Sequence, residues 1–273
     1  MRVFKITFVL VSFFGFFSVW SKSSFERPMT IIITSYNNKD WYKKNLDALF
    51  NQSYSNYKVV YVDDCSTDKT GDLVEQYIKE NGWEDRIMLI KNEKRMFKMY
   101  NFYHAVHEYC DDDDIVFDYD GDDWFAHKNV LRVINKAYSD PDVWLTYGSY
   151  KDFPSGKKGI SRKLPRHIVS QNAYRKYGWV TSHLRTFYAW LFKLIKIEDV
   201  LCEGAFIRAA VDMAGMFPML EIAGPRHKFI REILYVYNVK TPFSVNKVMR
   251  DIQARMDRYI RSRPCYKKLK CRP

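Results

Sequence analysis

Cysteine is scarce in this 273-residue chain, and it forms no framework. Cys65, Cys110, Cys202, Cys265 and Cys271 contain no C-x-x-C pair, and no histidine lies at zinc-ligand spacing from them. Five is an odd number, which excludes a complete disulfide set; Cys265 and Cys271 are the two that an oxidising compartment could pair. Nine prolines and eleven glycines are too few for a fibrous or linker-rich protein. There is no internal repeat. The first strand-like run is followed by SYNNKDW (35–41), which has no glycine, so the phosphate loop of a nucleotidyltransferase is missing.

What is plentiful is apolar and aromatic. Hydrophobic residues make up 47% and aromatics 17%, enough for a large core and too much for disorder. Single domains run to roughly 200–250 residues, so one domain with short extensions is expected. The net charge of +12 invites a nucleic acid, an anionic membrane or a phosphorylated substrate as partner. The charge is uneven, basic at 247–272 and acidic at 111–123. No nucleic-acid motif is present, and an acidic loop without metal would repel phosphates. No nucleic-acid partner is therefore expected.

Arg2 and Lys5 precede an uncharged run, residues 6–21, and Lys22 follows it. This is the layout of a secretory signal. A spanning helix needs about 20 apolar residues, and this run is shorter. Bulky Trp20 spoils a small-residue cleavage site, so an uncleaved signal anchor also fits. Residues 1–25 are set aside from the fold, and a secretory or membrane-associated location is expected.

From residue 26 the periods alternate. Strand-like runs at 29–34, 57–62, 86–91, 115–117 and 143–147 are separated by helical patterns at 41–50, 70–81, 96–109 and 130–138. This is the βαβ signature of a mostly parallel sheet covered on both faces. A loop at 151–166, a helix at 205–219 and a last strand at 230–237 follow. Residues 245–260 carry an amphipathic stripe with a basic remainder, suited to an anionic membrane or, as the apolar stripe favours, to docking on the catalytic domain. The expected division is a domain over 26–244 and a basic helix and tail over 245–273.

Two acidic motifs fall at strand ends, where open α/β sheets bind ligands. VDDCSTDKT (62–70) follows the second strand and DYDGDDW (118–124) the fourth. Four carboxylates in six residues raise one another's pKa unless a cation relieves them, and oxygen ligands favour Mg²⁺, Mn²⁺ or Ca²⁺. An EF-hand is excluded, because its sixth and twelfth positions would be Asp123 and Asn129. Asp111 to Asp114 read as a solvated turn.

Thr34-Ser-Tyr-Asn37, VDDCSTDKT and DGDDW, in this order and spacing, resemble glycosyltransferase family 2 over about residues 29–240. The resemblance implies a GT-A fold, Rossmann-like and flanked by helices. It also implies a nucleotide-sugar donor, a UDP-sugar first among candidates, and a divalent metal, Mn²⁺ or Mg²⁺. Matched by position, Thr34 and Tyr36 would hold the nucleoside, and Asp64 would read the base edge. Asp120 and Asp122 would meet the ribose and diphosphate, and Asp122 and Asp123 the metal. The family's glycine-rich segment is replaced by Lys94-Arg95-Met96-Phe97-Lys98, where Arg95 and Lys98 would meet phosphate. The usual Glu-Asp pair that supplies the base is incomplete, with Val211 before Asp212; Asp212 is the candidate base and Glu221 its runner-up. His183 and Arg185 fall on the sugar and acceptor side, with His227 as a further candidate, and Trp124 and Trp190 could stack on sugars. The reaction implied is inverting hexosyl transfer to a glycan, lipid or protein hydroxyl.

Overall fold

The computed structural model describes residues 25–241 and 250–273. The signal-like run and the first residues of the expected C-terminal helix lie outside this range.

Eight strands form one sheet. Its order is β3 (Ile87–Lys91), β2 (Tyr57–Asp63), β1 (Met29–Ser35), β4 (Ile115–Asp120), β7 (Arg185–Tyr188), β6 (Leu145–Phe153), β10 (His227–Asn238) and β5 (Trp124–Phe125). β1, β2, β3 and β4 are parallel, as are β6 and β10; β7 and β5 run antiparallel to their neighbours. The fold is the expected GT-A α/β arrangement, a mostly parallel sheet flanked by helices.

Both faces of the central strands are buried, which explains their unbroken β-branched runs. On β1, Ile31 and Ile33 point to one core and Ile32 to the other. The first core lies under α1 (Tyr42–Phe50), α2 (Thr70–Asn81) and α4 (Val130–Ala137), through Leu46, Val74 and Ile134. The second lies under α3 (Phe97–Tyr109), α6 (Ala189–Lys193) and α7 (Val211–Ala223). α7 is buried at every position from Met213 to Ala223 and is apolar on every side except at Glu221. Short α5 (Arg166–Ser170) lies between β6 and β7 in sequence.

Several expectations are corrected. The helix expected over 205–219 begins only at Val211, because Glu203 and Gly204, at φ 54° and 77°, turn a hairpin between β8 (Leu201–Cys202) and β9 (Ala205–Phe206). β6 runs to Phe153, into the expected loop, because β10 pairs with it throughout. Asp114 is not solvated: it is 2% exposed, accepts from Thr30 Oγ1 at 2.7 Å and pairs with Lys58 at 3.1 Å. Cys265 and Cys271 are unpaired.

The last helix, α8 (Arg250–Ser262), docks on the domain as its stripe suggests. Met256 and Ile260 enter the second core. Burying each is worth roughly 1.5–3 kcal/mol.

Candidate active site

At the carboxyl ends of β1, β2 and β4 lies a cavity of about 480 Å³, within the ordinary range for small-molecule sites. Thr34, Tyr36, Asp64, Arg95, Lys98, Asp120, Asp122, His183, Arg185 and Asp212 all line it. Ten positions chosen from sequence thus converge on one space.

The acidic turn is held from three sides. Gly121 donates to the Thr34 carbonyl at 3.0 Å, and a Cβ there would stand 2.7 Å from that of Ser35, so only glycine allows the approach. Asn45 of α1 donates to the carbonyls of Asp120 and Asp123 at 2.9 and 2.7 Å. From β10, the Asn238 amide donates to Asp123 Oδ1 at 2.7 Å, and the Tyr235 hydroxyl accepts from the Asp120 amide at 3.1 Å.

VDDCSTDKT is a local cap as well as a site element. Ser66 bonds both oxygens of Asp63, and Asp68 accepts from the Thr70 amide at 3.0 Å. Asp64 carries a structural duty: Asn92 and the Met96 amide donate to one oxygen, the Phe97 amide to the other. It therefore fastens the segment that stands where a glycine-rich turn was expected. Phe97, at φ 66°, holds a left-handed conformation there. Arg95 lies 3.5 Å over the Tyr36 ring, and Arg208 lies 4.3 Å over that of Phe97.

Beneath the cavity is a buried charge network. Lys98 pairs with Asp118 at 2.8 Å and with Asp120. Arg185 reaches Asp118 Oδ2 at 2.9 and 2.7 Å, and Asp212 at 3.5 Å. Burial opposes ionisation of Asp118, but Arg185 and Lys98 outweigh it and hold the carboxyl well below its usual range. Burial likewise opposes the Lys98 charge, and Asp118 and Asp120 more than restore it. Burial raises the pKa of Asp212 against the pull of Arg185 and Lys98.

The donor set fits a hard divalent cation. Ligand atoms of Asp120, Asp123 and His183 lie within 4.8 Å of one another. Asp123 Oδ2 and His183 Nδ1 are buried without hydrogen-bond partners, a costly state unless something binds them. Without a cation, burial and Asp120 push Asp122 up to about 6, and burial, Asp122 and Asp120 push Asp123 well above its usual range. Burial, with Arg185 and Lys98, pulls His183 well below its usual pKa and keeps it a neutral ligand. The His183 ring stacks on Tyr235 at 4.7 Å. The geometry departs from the expected Asp122–Asp123 pair: Asp122 lines the cavity beside the cluster, and His183, expected on the acceptor side, belongs to it.

Four other candidates do not line the cavity. Glu221 is fully buried outside the cavity, paired with Arg175 at 2.6 Å and accepting from the Tyr266 amide at 3.0 Å. Trp124 stacks on Trp41 at 6.2 Å beneath the Lys44 ammonium, away from the cavity. Trp190 packs edge-on to Trp144, and His227 lies between Tyr147 and Tyr174 with its pKa lowered to about 4 by burial. Arg208, Tyr150, Tyr237 and Trp179 line the cavity unforeseen, since no motif marks them.

Comparison with known proteins agrees with this fold. The model of Glycosyl transferase family 2 matches residues 30–212, and the chain belongs to that family. A 54-residue stretch is 39% identical to the teichuronic acid biosynthesis glycosyltransferase by name, TuaG of Bacillus subtilis (strain 168), covering 19% of this chain and 21% of that protein. Over 69 residues the chain is 38% identical to a dolichyl N-acetyl-alpha-D-glucosaminyl phosphate 3-beta-D-2,3-diacetamido-2,3-dideoxy-beta-D-glucuronosyltransferase of Methanococcus voltae, covering 24% and 21%. The chain thus spans about a fifth of the length of these two relatives. Among solved structures, the mannosyltransferase PcManGT from Pyrobaculum calidifontis, in complex with GDP-Man and Mn²⁺, superposes with a TM-score of 0.61 at 19% identity, over 89% of this chain and 67% of that one. TarS 1-349 of S. aureus in complex with UDP-GlcNAc gives 0.58 at 15%, over 81% and 61%. At such identities the likeness is one of fold.

Proposed function

We propose that this protein is a metal-dependent hexosyltransferase that moves a sugar from a nucleoside-diphosphate sugar, a UDP-sugar first, to a hydroxyl acceptor with inversion. The observation that carries it is the convergence of Asp120, Asp122, Asp212 and His183 on one cavity. In this reading Thr34, Tyr36 and Arg95 hold the nucleoside. Asp120, Asp123 and His183 would hold the cation, Mn²⁺ or Mg²⁺, with Asp122 beside it. When bound, the cation neutralises charge on the departing diphosphate.

Asp212 takes the proton from the acceptor hydroxyl. Its carboxylate enters the cavity from the first turn of α7, and Arg185 steadies it. Burial raises its pKa, which strengthens it as a base. Arg185 and Lys98 position the carboxylates; their charges are committed to Asp118 and its neighbours.

The run at residues 6–21 belongs, in this reading, to a protein of the secretory pathway or a membrane surface. Among the described residues no helix is long and apolar enough to cross a membrane. A nucleotide-sugar transfer assay, with UDP-, GDP- and CMP-sugars and Mn²⁺ over a panel of glycan, lipid and peptide hydroxyls, tests the reading. Failure of every donor would overturn it.

A further inference from the structure

The cavity and the two ends of the described chain lie at opposite ends of the sheet. Thr34, Asp64 and Asp120 stand where β1, β2 and β4 finish. The chain enters at the other end: the Ile115 amide donates to the Pro28 carbonyl at 3.0 Å, and Ile115 pairs across the sheet with Tyr188. β1 advances six residues between the two ends, roughly 20 Å at about 3.3 Å per step.

The C-terminal tail returns to that same far end. The Leu269 amide donates to the Ile222 carbonyl at 2.9 Å, and Arg226 donates to the carbonyls of Leu269 and Lys270 at 3.2 and 2.7 Å. Arg272 then lies over the rings of Tyr188 and Trp190, at 5.9 and 5.6 Å. Arg27, at the chain's entry, bears on Tyr188 as well. Two sequence ends therefore meet around one tyrosine.

The charge of this end is not evenly cancelled. Several of its acidic residues have partners: Glu26 with Arg132, Asp111 with Lys58, Asp112 with Lys193, Asp113 with Arg272 and Asp142 with Arg226; Glu84, Asp85 and Asp140 form no ion pair among the described residues. Lys267, Lys268 and Lys270 are exposed and form no ion pair among the described residues. At the chain's entry Phe25 is 74% exposed, and in sequence it follows Lys22 and the apolar run.

We propose that this end of the molecule, carrying Phe25, Arg27 and the tail lysines, rests on an anionic bilayer, so that the cavity opens away from the membrane. A polybasic patch near an apolar segment adds about 1 kcal/mol per Lys or Arg to its attachment on an anionic surface. The cavity then faces water about 20 Å above the contact. That suits a glycan or protein hydroxyl rather than a lipid headgroup in the same leaflet. The proposal rests on the membrane reading above, and its test keeps the two apart.

The full chain is mixed with vesicles of phosphatidylcholine alone or with phosphatidylglycerol added, floated, and its lysines acylated and read by mass spectrometry. Lys267, Lys268 and Lys270 should be protected several-fold on the anionic vesicles relative to the neutral ones. Lys39 and Lys240, beside the cavity, should react equally on both. A variant with Lys267→Glu, Lys268→Glu and Lys270→Glu should lose an anionic-over-neutral preference on the order of 100-fold. Equal reactivity of the tail lysines on both vesicles, or protection of Lys39 and Lys240, overturns the orientation. A chain that floats with neither vesicle overturns the membrane reading itself, and leaves sugar transfer to its own assay.

Discussion

Arg185 grips one oxygen of Asp118 with two nitrogens, at 2.7 and 2.9 Å, and extends its third to Asp212 at 3.5 Å. A single buried guanidinium thereby links the floor of the cavity to the proposed base. Asp118 pushes the pKa of Asp212 up while Arg185 pulls it down.

Asp118→Asn removes one side of that balance. Arg185 and Lys98 lose their main counter-charge, which costs about 3–5 kcal/mol for a broken buried pair. Asp212 is then pulled down, so the acidic limb of the kcat/KM profile should move to lower pH. Thermal unfolding and a pH-rate profile of the folded variant check both effects.

Asp212→Asn should lower kcat by about 10²–10⁴-fold, the ordinary worth of a general base. Donor affinity should stay within a few-fold, because Asp212 meets the acceptor. Steady-state kinetics beside donor titration separate the two.

Asp122, pushed up to about 6, and Asp123, also raised well above its usual range, keep their protons more tightly than in the unfolded chain. Such groups stabilise the fold fully below about pH 4 and lose that contribution as pH rises through about 6. For Asp122 alone, metal-free protein should lose on the order of 2–3 kcal/mol of this contribution between pH 4 and 7. Mn²⁺ needs the deprotonated carboxylates, so its stabilising effect should grow over the same interval. Calorimetry with chelator and with Mn²⁺, across that range, measures both slopes.

Arg175→Ala leaves Glu221 buried without its partner and should cost about 3–5 kcal/mol. Activity per folded molecule should be unchanged, since neither residue lines the cavity. Denaturant unfolding and a specific-activity measurement check this. A large loss of kcat in stable Glu221→Gln protein would return Glu221 to the catalytic candidates.

The sequence was most legible where one pattern answers to one contact. Strands buried on both faces show as β-branched runs, and the carboxylates of 118–123 must gather wherever their strand ends. The second half of the chain was harder. β7 enters the sheet against the common direction, and β5, β8 and β9 have two residues each, too short to show a period. Glu221 looked chemical because its partner, Arg175, lies 46 positions away in sequence. His183 could be seen as a candidate but not as a neighbour of Asp123, because only the packing of Tyr235 and β10 joins them. Arg208 carries no motif at all.

The most direct test is the melting temperature of the protein with UDP, GDP and CMP, each as its sugar conjugate, with Mn²⁺ or with chelator. A ligand at about 100 times its Kd adds about 2.7 kcal/mol, roughly 5–10 °C for a domain of this size. A rise of that size with a UDP-sugar and Mn²⁺, reduced by chelator and in Asp123→Ala, is the predicted result. No shift with any of the three donors in the presence of Mn²⁺ would contradict the account.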